Sequence, residues 1–145
     1  MNRIVIDAQK CSGCRICEAV CSTRILEDKG FNRKAAAIRV FFRGELEEDI
    51  KPVLCRQCKR PLCARNCPTR ALERADNGIV QLDRETCIGC GNCAEDCPFG
   101  AIVLHPDLVV PAKCDLCQGN PLCVQYCVTG ALRFVQEVTV GAEGR

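Results

Sequence analysis

The sequence predicts an α+β protein in which short strands and short helices frame four copies of one cysteine-rich unit. The chain has 145 residues, of which 16 are cysteine. Short β-branched segments, such as residues 3–7 and 79–83, precede cysteine runs and are typical of strands. Each copy is expected to form strand, cysteine loop, short helix and strand, which gives small antiparallel sheets. In chain order the four runs are Cys11, Cys14, Cys17 and Cys21 (run one); Cys55, Cys58, Cys63 and Cys67 (run two); Cys87, Cys90, Cys93 and Cys97 (run three); and Cys114, Cys117, Cys123 and Cys127 (run four).

The spacing of run three indicates the chemistry. Residues 87–98 read CIGCGNCAEDCP, and C-x2-C-x2-C-x3-C-P is the run by which bacterial ferredoxins hold a [4Fe–4S] cluster. Three closely spaced thiolates bind three irons of one cluster, and the fourth cysteine ligates a second cluster. Because such a run needs a partner run, four runs predict four [4Fe–4S] clusters with all 16 cysteines as ligands.

Composition and compartment favour metal over disulfides. The first residues, MNRIVIDAQKC, contain no secretory signal, and no apolar stretch approaches the roughly 18 residues of a membrane span. We therefore expect a cytoplasmic, reduced chain without a membrane span, whose cysteines bind metal. The formal charge is +2, and four clusters of about −2 each would bring it to about −6. The lysines and arginines are then counter-charge, and the low aromatic fraction argues against a nucleic-acid partner.

Glycine, proline and aspartate divide the rest of the chain into short elements. A helix is expected at residues 17–26, and a short helix or turn at 69–74. Residues 141–145 are expected to fray. Strands are predicted at 3–7, 36–43, 79–83, 99–104 and 131–140, with a brief extended piece at 108–112.

The four copies alternate in type. Runs one and three have compact spacing and an aspartate four residues ahead, Asp7 and Asp83. Runs two and four have a longer loop, a Pro-Leu-Cys phrase and a proline three residues ahead, Pro52 and Pro111. The chain is therefore interpreted as a doubled two-run unit.

Run one departs from the ferredoxin pattern after its last cysteine. Ser22 stands where proline is usual, and Val128 does the same in run four. Proline there mainly shapes a turn, so we expect ligation to be unaffected and the local geometry to differ. Small residues within the run, Ser12 and Gly13, suit a loop whose backbone N–H groups turn towards cluster sulfurs.

These motifs resemble the four-cluster iron–sulfur subunits that accompany molybdenum and tungsten enzymes. That family includes the electron-transfer subunits of dimethyl sulfoxide reductase and formate dehydrogenase, with related hydrogenase and carbon monoxide dehydrogenase polyferredoxins. The resemblance extends over residues 4–134. The compact chain is similar to soluble versions such as the iron–sulfur subunit of bacterial tungsten aldehyde oxidoreductase complexes.

The resemblance implies which runs pair. The residues alone leave adjacent pairing open, one with two and three with four, although the short gap between runs two and three favours nesting. In the resembled family the pairing is nested, which implies an outer ferredoxin-like module at 1–50 and 108–145 and an inserted inner module at 51–107. The ligand sets are then Cys11, Cys14, Cys17 and Cys127 (set one); Cys55, Cys58, Cys63 and Cys97 (set two); Cys87, Cys90, Cys93 and Cys67 (set three); and Cys114, Cys117, Cys123 and Cys21 (set four).

The resemblance also implies the function. We expect a non-catalytic subunit that relays single electrons between a catalytic oxidoreductase subunit, of the molybdenum or tungsten class, and a second redox carrier or flavin subunit. The alternatives are a free, diffusible polyferredoxin and, from another class, a zinc-binding scaffold.

Other conspicuous residues receive plainer interpretations. His105 is expected to be a surface histidine in a turn. The acidic stretch 44–50 is interpreted as a solvated loop or alternatively as a docking surface, through Glu45, Glu47, Glu48 and Asp49. Core packing is expected of the aromatics Phe31, Phe41, Phe42, Phe99, Tyr126 and Phe134. Two roles are left open for the cations near the runs: they tune the reduction potentials of the clusters, or they are simply solvated side chains. These cations are Arg15, Arg56, Lys59, Arg65 and Lys113.

Overall fold

The computed structural model describes residues 2–27 and 29–136 of the chain. The predicted α+β class with small antiparallel sheets is confirmed, since the described residues form four two-stranded antiparallel sheets with short helices between them. The longest described helix has 10 residues, and no described helix is long and apolar enough to cross a membrane. In chain order the elements are β1 (Asn2–Ile6), α1 (Ile16–Ile25), β2 (Arg39–Arg43), β3 (Asp49–Val53), α2 (Leu62–Arg65), β4 (Leu72–Arg74), β5 (Val80–Leu82), α3 (Asn92–Asp96), β6 (Ile102–Val103), β7 (Ala112–Lys113), α4 (Leu122–Gln125) and β8 (Leu132–Gln136).

The sheets bring distant parts of the sequence together. Strand β1 pairs with β8, with Ile4 opposite Phe134, and β4 pairs with β5 between runs two and three. The sheet of β2 and β3 crosses the predicted module border at residue 50, and the sheet of β6 and β7 crosses the border at residue 107. The division into an outer and an inner module stays a prediction, and these two sheets join its parts.

The core is aliphatic and packs around the cysteines. Its central group consists of Ile4, Ile38, Leu54, Ile79, Leu116, Cys123 and Leu132. Half-buried cysteines of runs one and four pack against this group. A second group, built on Leu72, Val80 and Ile102, packs around cysteines of runs two and three. Burial of these side chains stabilises by about 25 cal/mol per Å² of apolar surface, and it favours a structure in which cysteines of all four runs pack against the core groups.

The prediction of core packing for the aromatics is wrong for all but Phe134, which is half-buried and packs against the central core group. All six lie in the described residues and none is fully buried; Phe31 is 63 % exposed and Tyr126 is 54 % exposed. Aliphatic side chains and cysteines make up the core groups instead. The prediction of a surface position for His105 is also wrong, because its side chain is only 15 % exposed and its Nε2 lies 3.3 Å from Asn32 Nδ2.

Several element boundaries differ from the predictions. Residues 72–74 form strand β4 rather than a helix or turn, because Leu72 is buried opposite Leu82 of β5. The predicted strand 36–43 begins only at Arg39. Of the brief extended piece predicted at 108–112, only Ala112 lies in a strand, β7. The C-terminal predicted strand is observed as Leu132–Gln136; residues 137–145, with the frayed end predicted at 141–145, lie outside the described residues.

Strand β3 was missed. The sequence predicted an acidic loop at residues 44–50, whereas Asp49 and Ile50 are the first two residues of β3. Pro52 lies inside this strand, which is possible because a two-stranded sheet leaves one side of each strand without a partner. Glu45, Glu47, Glu48 and Asp49 are all exposed, as expected of a solvated stretch, and a docking role for them stays a prediction.

Candidate metal centres

The four runs share one backbone conformation at the residue two places after the first cysteine. At this position φ is positive in every run, which turns the chain sharply between the first two cysteines. In run two the backbone N–H of this residue donates to Cys55 Sγ at 3.4 Å, and in run three it donates to Cys87 Sγ at 3.4 Å. The residues are Gly13 (φ 74°), Gln57 (φ 50°), Gly89 (φ 71°) and Leu116 (φ 56°).

The aspartates shared by runs one and three form the turns that lead into the runs. Asp7 Oδ1 accepts a hydrogen bond from Gln9 N at 3.2 Å, and Asp83 Oδ1 accepts one from Glu85 N at 3.0 Å. Such side-chain turns are a common use of aspartate. Within run four, Asp115 Oδ1 likewise accepts from the backbone N–H of the second cysteine at 2.9 Å.

Helix length explains the serine of run one. Helix α1 continues through Cys21 and Ser22 to Ile25, whereas α2 and α3 end before the last cysteine of their runs. Proline at position 22 would remove a backbone donor and clash with the preceding turn. Ser22 therefore permits the longer helix, and the local geometry differs from the other runs, as expected.

The phrase that follows the last cysteine forms a hydrogen-bonding cradle. The backbone N–H of Ala71 donates to Cys67 Sγ at 3.2 Å, and that of Ala101 donates to Cys97 Sγ at 3.5 Å. Thr69 Oγ1 lies 3.7 Å from Cys67 Sγ. Burial raises the pKa of Cys67, but the hydrogen bonds from Thr69 and Ala71 outweigh it and the pKa is lowered. Burial likewise raises the pKa of Cys127, but hydrogen bonds from Leu132 and Thr129 help to outweigh it and the pKa is lowered. In runs two and four the phrase thus favours the thiolate, which is the form that binds iron.

Runs one and four lie together. Cys17, Cys21 and Cys127 pack against the central core group, which contains Cys123. Burial, together with the neighbouring thiols of Cys21, Cys117 and Cys17, raises the pKa of Cys123 to about 12. One cavity is lined by Cys21, Cys114, Cys117 and Cys123.

Runs two and three also lie together. Cys63, Cys67 and Cys97 pack around the core group that contains Cys93. Burial, with smaller contributions from Cys63, Cys87 and Cys90, raises the pKa of Cys93 to about 11. Burial also raises the pKa of Cys63, which has Cys55 and Cys97 as neighbours.

A third contact joins these two pairs of runs. Burial, and then the neighbouring Cys55, raises the pKa of Cys114. Gln57, which is fully buried, donates from Nε2 to the Cys114 carbonyl at 2.8 Å and accepts from Val80 N at 2.8 Å. Sequence reasoning missed Gln57; the usable sign was that it occupies the position of Gly13 and Gly89.

The cations near the runs divide into three classes: buried, stacked on aromatic rings, and exposed. Lys113 is buried, and its Nζ lies 3.1 Å from Cys55 Sγ. Arg15 and Arg56 stack on aromatic rings, with the guanidinium carbon of Arg56 4.0 Å from the Phe99 centroid. The side chains of Lys59 and Arg65 are exposed.

Exposure differs among the thiols. Of the 16 cysteines, all within the described residues, only Cys14 and Cys90 are exposed, while Cys55, Cys93 and Cys123 are buried. Both exposed thiols are the second cysteines of compact runs, so runs one and three reach the surface.

The donor groups fit iron–sulfur clusters. Each predicted set offers four sulfur donors, and backbone N–H groups point at several of these sulfurs. Burial raises the pKa of several of these thiols, which favours the protonated form when no metal is bound. The positive charge of bound iron would favour the thiolate instead. Among the described residues, no three His, Cys, Asp or Glu side chains lie close enough to hold a single metal ion.

Comparison with known proteins agrees with this chemistry. The chain matches the model of the 4Fe-4S dicluster domain over residues 46–137. It is similar to the thiosulfate reductase electron transfer subunit PhsB of Salmonella typhi, 36% identical over 89 residues that cover 58% of this chain and 45% of that protein. It is also similar to the aliphatic sulfonate oxidoreductase, polyferredoxin-like subunit of Pyrococcus furiosus, 44% identical over 91 residues, 61% of this chain and 49% of that protein.

A solved structure extends the likeness over the whole fold. A chain of the active site complex BamBC of benzoyl coenzyme A reductase, in complex with benzoyl-CoA, superposes with a TM-score of 0.55 at 30% identity, covering 93% of this chain and 79% of that one. The matches to the curated relatives span about half of their length or less. The resemblance drawn from the cysteine runs is confirmed at the level of the family. The chain belongs to the 4Fe-4S dicluster domain family, whose members similar to it include iron–sulfur electron-transfer subunits of oxidoreductases.

Proposed function

We propose that this chain is a non-catalytic, cytoplasmic electron-transfer subunit that carries four [4Fe–4S] clusters. It relays single electrons between a catalytic oxidoreductase subunit, of the molybdenum or tungsten class, and a second redox carrier or flavin subunit. When bound, each cluster supplies a site that accepts and releases one electron. The four ligand sets are those of the nested pairing, sets one to four.

The observation that carries the proposal is the row of contacts among the runs. Run one lies against run four, because Cys17 packs against the core group that contains Cys123. Run four lies against run two, because Gln57 Nε2 donates to the Cys114 carbonyl at 2.8 Å. Run two lies against run three, because Cys63 packs against the core group that contains Cys93. These neighbour relations support a row of sets in the order one, four, two, three.

The ends of this row reach solvent. Cys14 belongs to set one and Cys90 to set three, and both are exposed. In the two middle sets no thiol is exposed, and Cys55 and Cys123 are buried. This difference in exposure supports entry and exit points for electrons at the two ends of the row.

The test is metal analysis of protein purified without oxygen. We expect about 16 iron and 16 acid-labile sulfide per chain, with negligible zinc. About four zinc without sulfide would make the chain a scaffold and overturn the proposal. Co-elution with a large partner supports a dedicated subunit, whereas isolation alone supports a free polyferredoxin.

The pairing has its own test within the same preparation. In nested pairing, Cys21→Ser and Cys123→Ser alter the same cluster signal in electron paramagnetic resonance, whereas Cys17→Ser alters another. Adjacent pairing instead places Cys21 with run two, so that Cys21→Ser and Cys58→Ser would alter the same signal.

A further inference from the structure

Lys113 is a buried cation between two thiol sets. Lys113 is only 8 % exposed. It is the last residue of β7 and directly precedes Cys114. Nζ donates to Cys55 Sγ at 3.1 Å, to the Val80 carbonyl at 2.9 Å and to the Cys114 carbonyl at 2.7 Å. An ammonium group has three donors, so all of them are used.

The charge of Lys113 needs a negative partner. A buried ammonium is costly unless it is paired and hydrogen-bonded. Among residues 2–27 and 29–136, no carboxylate forms an ion pair with Lys113. The group within hydrogen-bond distance that can carry negative charge is the sulfur of Cys55.

A frame of hydrogen bonds fixes this arrangement. Gln57 bridges the Cys114 carbonyl and the backbone N–H of Val80, so the two residues whose carbonyls accept from Lys113 are held by the same buried amide. The ammonium cannot leave Cys55 without losing its hydrogen bonds to the Val80 and Cys114 carbonyls. Lys113 Nζ is therefore held beside Cys55 Sγ.

We propose that Lys113 is a positioning residue that raises the reduction potential of the cluster held by set two. This inference rests on the proposed function, because it requires a cluster on Cys55. A fixed positive charge beside a ligating sulfur stabilises the more negative, reduced state of the centre. The step is the gain of one electron by the oxidised cluster, and no covalent bond changes.

The test is an anaerobic redox titration, followed by electron paramagnetic resonance, of the cluster-loaded full chain. In Lys113→Met, one midpoint potential falls by about 59 mV, which corresponds to a tenfold change in the ratio of oxidised to reduced centre for one electron. The other midpoint potentials stay unchanged. Lys113→Gln shifts the same midpoint in the same direction, because it keeps a donor but loses the charge. Lys113→Arg stays near the wild type.

Lys59→Met is the matched control. Lys59 follows Cys58 of the same set and is exposed, so its loss removes the same charge in water, where screening is strong. Unchanged midpoints in both Lys113→Met and Lys113→Gln would overturn the inference, as would an equal shift in Lys59→Met. If Lys113→Met binds less iron than the wild type, the midpoint potentials of Lys113→Gln at full iron content decide whether the inference holds.

A ligand variant assigns the affected centre. In Cys55→Ser, the component that shifts or disappears must be the one that moves in Lys113→Met; a different component overturns the assignment to set two. Failure of the proposed function is recognised separately. In that case the wild-type chain does not contain the expected iron, about 16 per chain, and this is seen before any variant is compared.

Discussion

Runs one and three differ from runs two and four in the residue that occupies the left-handed backbone position. The compact runs have Gly13 and Gly89 there, while the long-loop runs have Gln57 and Leu116. Both larger residues are 0 % exposed, whereas the cysteine that follows each glycine, Cys14 or Cys90, is exposed. One backbone turn therefore serves runs whose second cysteine is exposed and runs whose second cysteine is half-buried.

The difference shows how a repeat acquires two roles. A left-handed conformation costs an L-residue roughly 1–2 kcal/mol, and burial of a leucine side chain stabilises by about 1.5–3 kcal/mol. Burial thus offsets the strain at Leu116. At the surface no such gain exists, and the space is taken: a Cβ on Gly13 would lie 2.6 Å from the Phe42 ring, and one on Gly89 would lie 3.0 Å from the Val109 carbonyl oxygen.

Iron removal should have the largest effect, and it tests whether the packing around runs two and four stays folded without metal. We expect the metal-free chain to lose most of its far-ultraviolet circular dichroism, because the core is small and packs around thiols that the metal holds in place. A native-like spectrum after iron removal would contradict this. Limited proteolysis that spared only runs two and four would show that their aliphatic packing suffices without metal.

Leu116→Ala should have the next largest effect. The substitution opens a cavity in the central core group and should lower the free energy of unfolding by about 2–5 kcal/mol. The measurement is the urea midpoint, followed by visible cluster absorbance without oxygen. Val109→Ala is the control, because Val109 is 93 % exposed and should change stability by less than about 0.5 kcal/mol. Equal midpoints for the two variants would refute the role of Leu116.

Gly89→Ala should have the smallest effect. Alanine at φ 71° is strained by roughly 1–2 kcal/mol, and its Cβ also meets the Val109 carbonyl. Gly100→Ala separates the two causes, since Gly100 has φ 61° and no atom lies within 4 Å of the place that an alanine Cβ would take. The same urea titration should show the greater loss for Gly89→Ala; a loss no greater than that of Gly100→Ala would leave strain as the only cause.

Local repetition made much of the fold predictable. The cysteine spacing indicated the donor groups, and β-branched segments indicated β1 and β5 to within a residue or two. Strand β4 was misjudged because a three-residue strand contains too little alternation to distinguish it from a turn; its pairing with β5 decides the outcome. Strand β3 was hidden by its acidic start and by Pro52.

The buried polar contacts were beyond sequence reasoning. Gln57 and Lys113 look like ordinary surface residues in the sequence, and only the meeting of runs two and four buries them. The aromatics failed for the opposite reason. A general preference for burial predicted a core position, whereas aliphatic side chains and cysteines make up the core groups and, of the six aromatics, only Phe134 packs against one of them.

The pairing of β1 with β8 has a consequence for biosynthesis. A ribosome that adds about 5–20 residues per second needs on the order of 5–20 s to pass from Cys21 to Cys114. At the end of that interval runs one, two and three have been synthesised and run four has only begun. The β1–β8 sheet needs residues 132–136, so among the four described sheets it is the last that can form during synthesis.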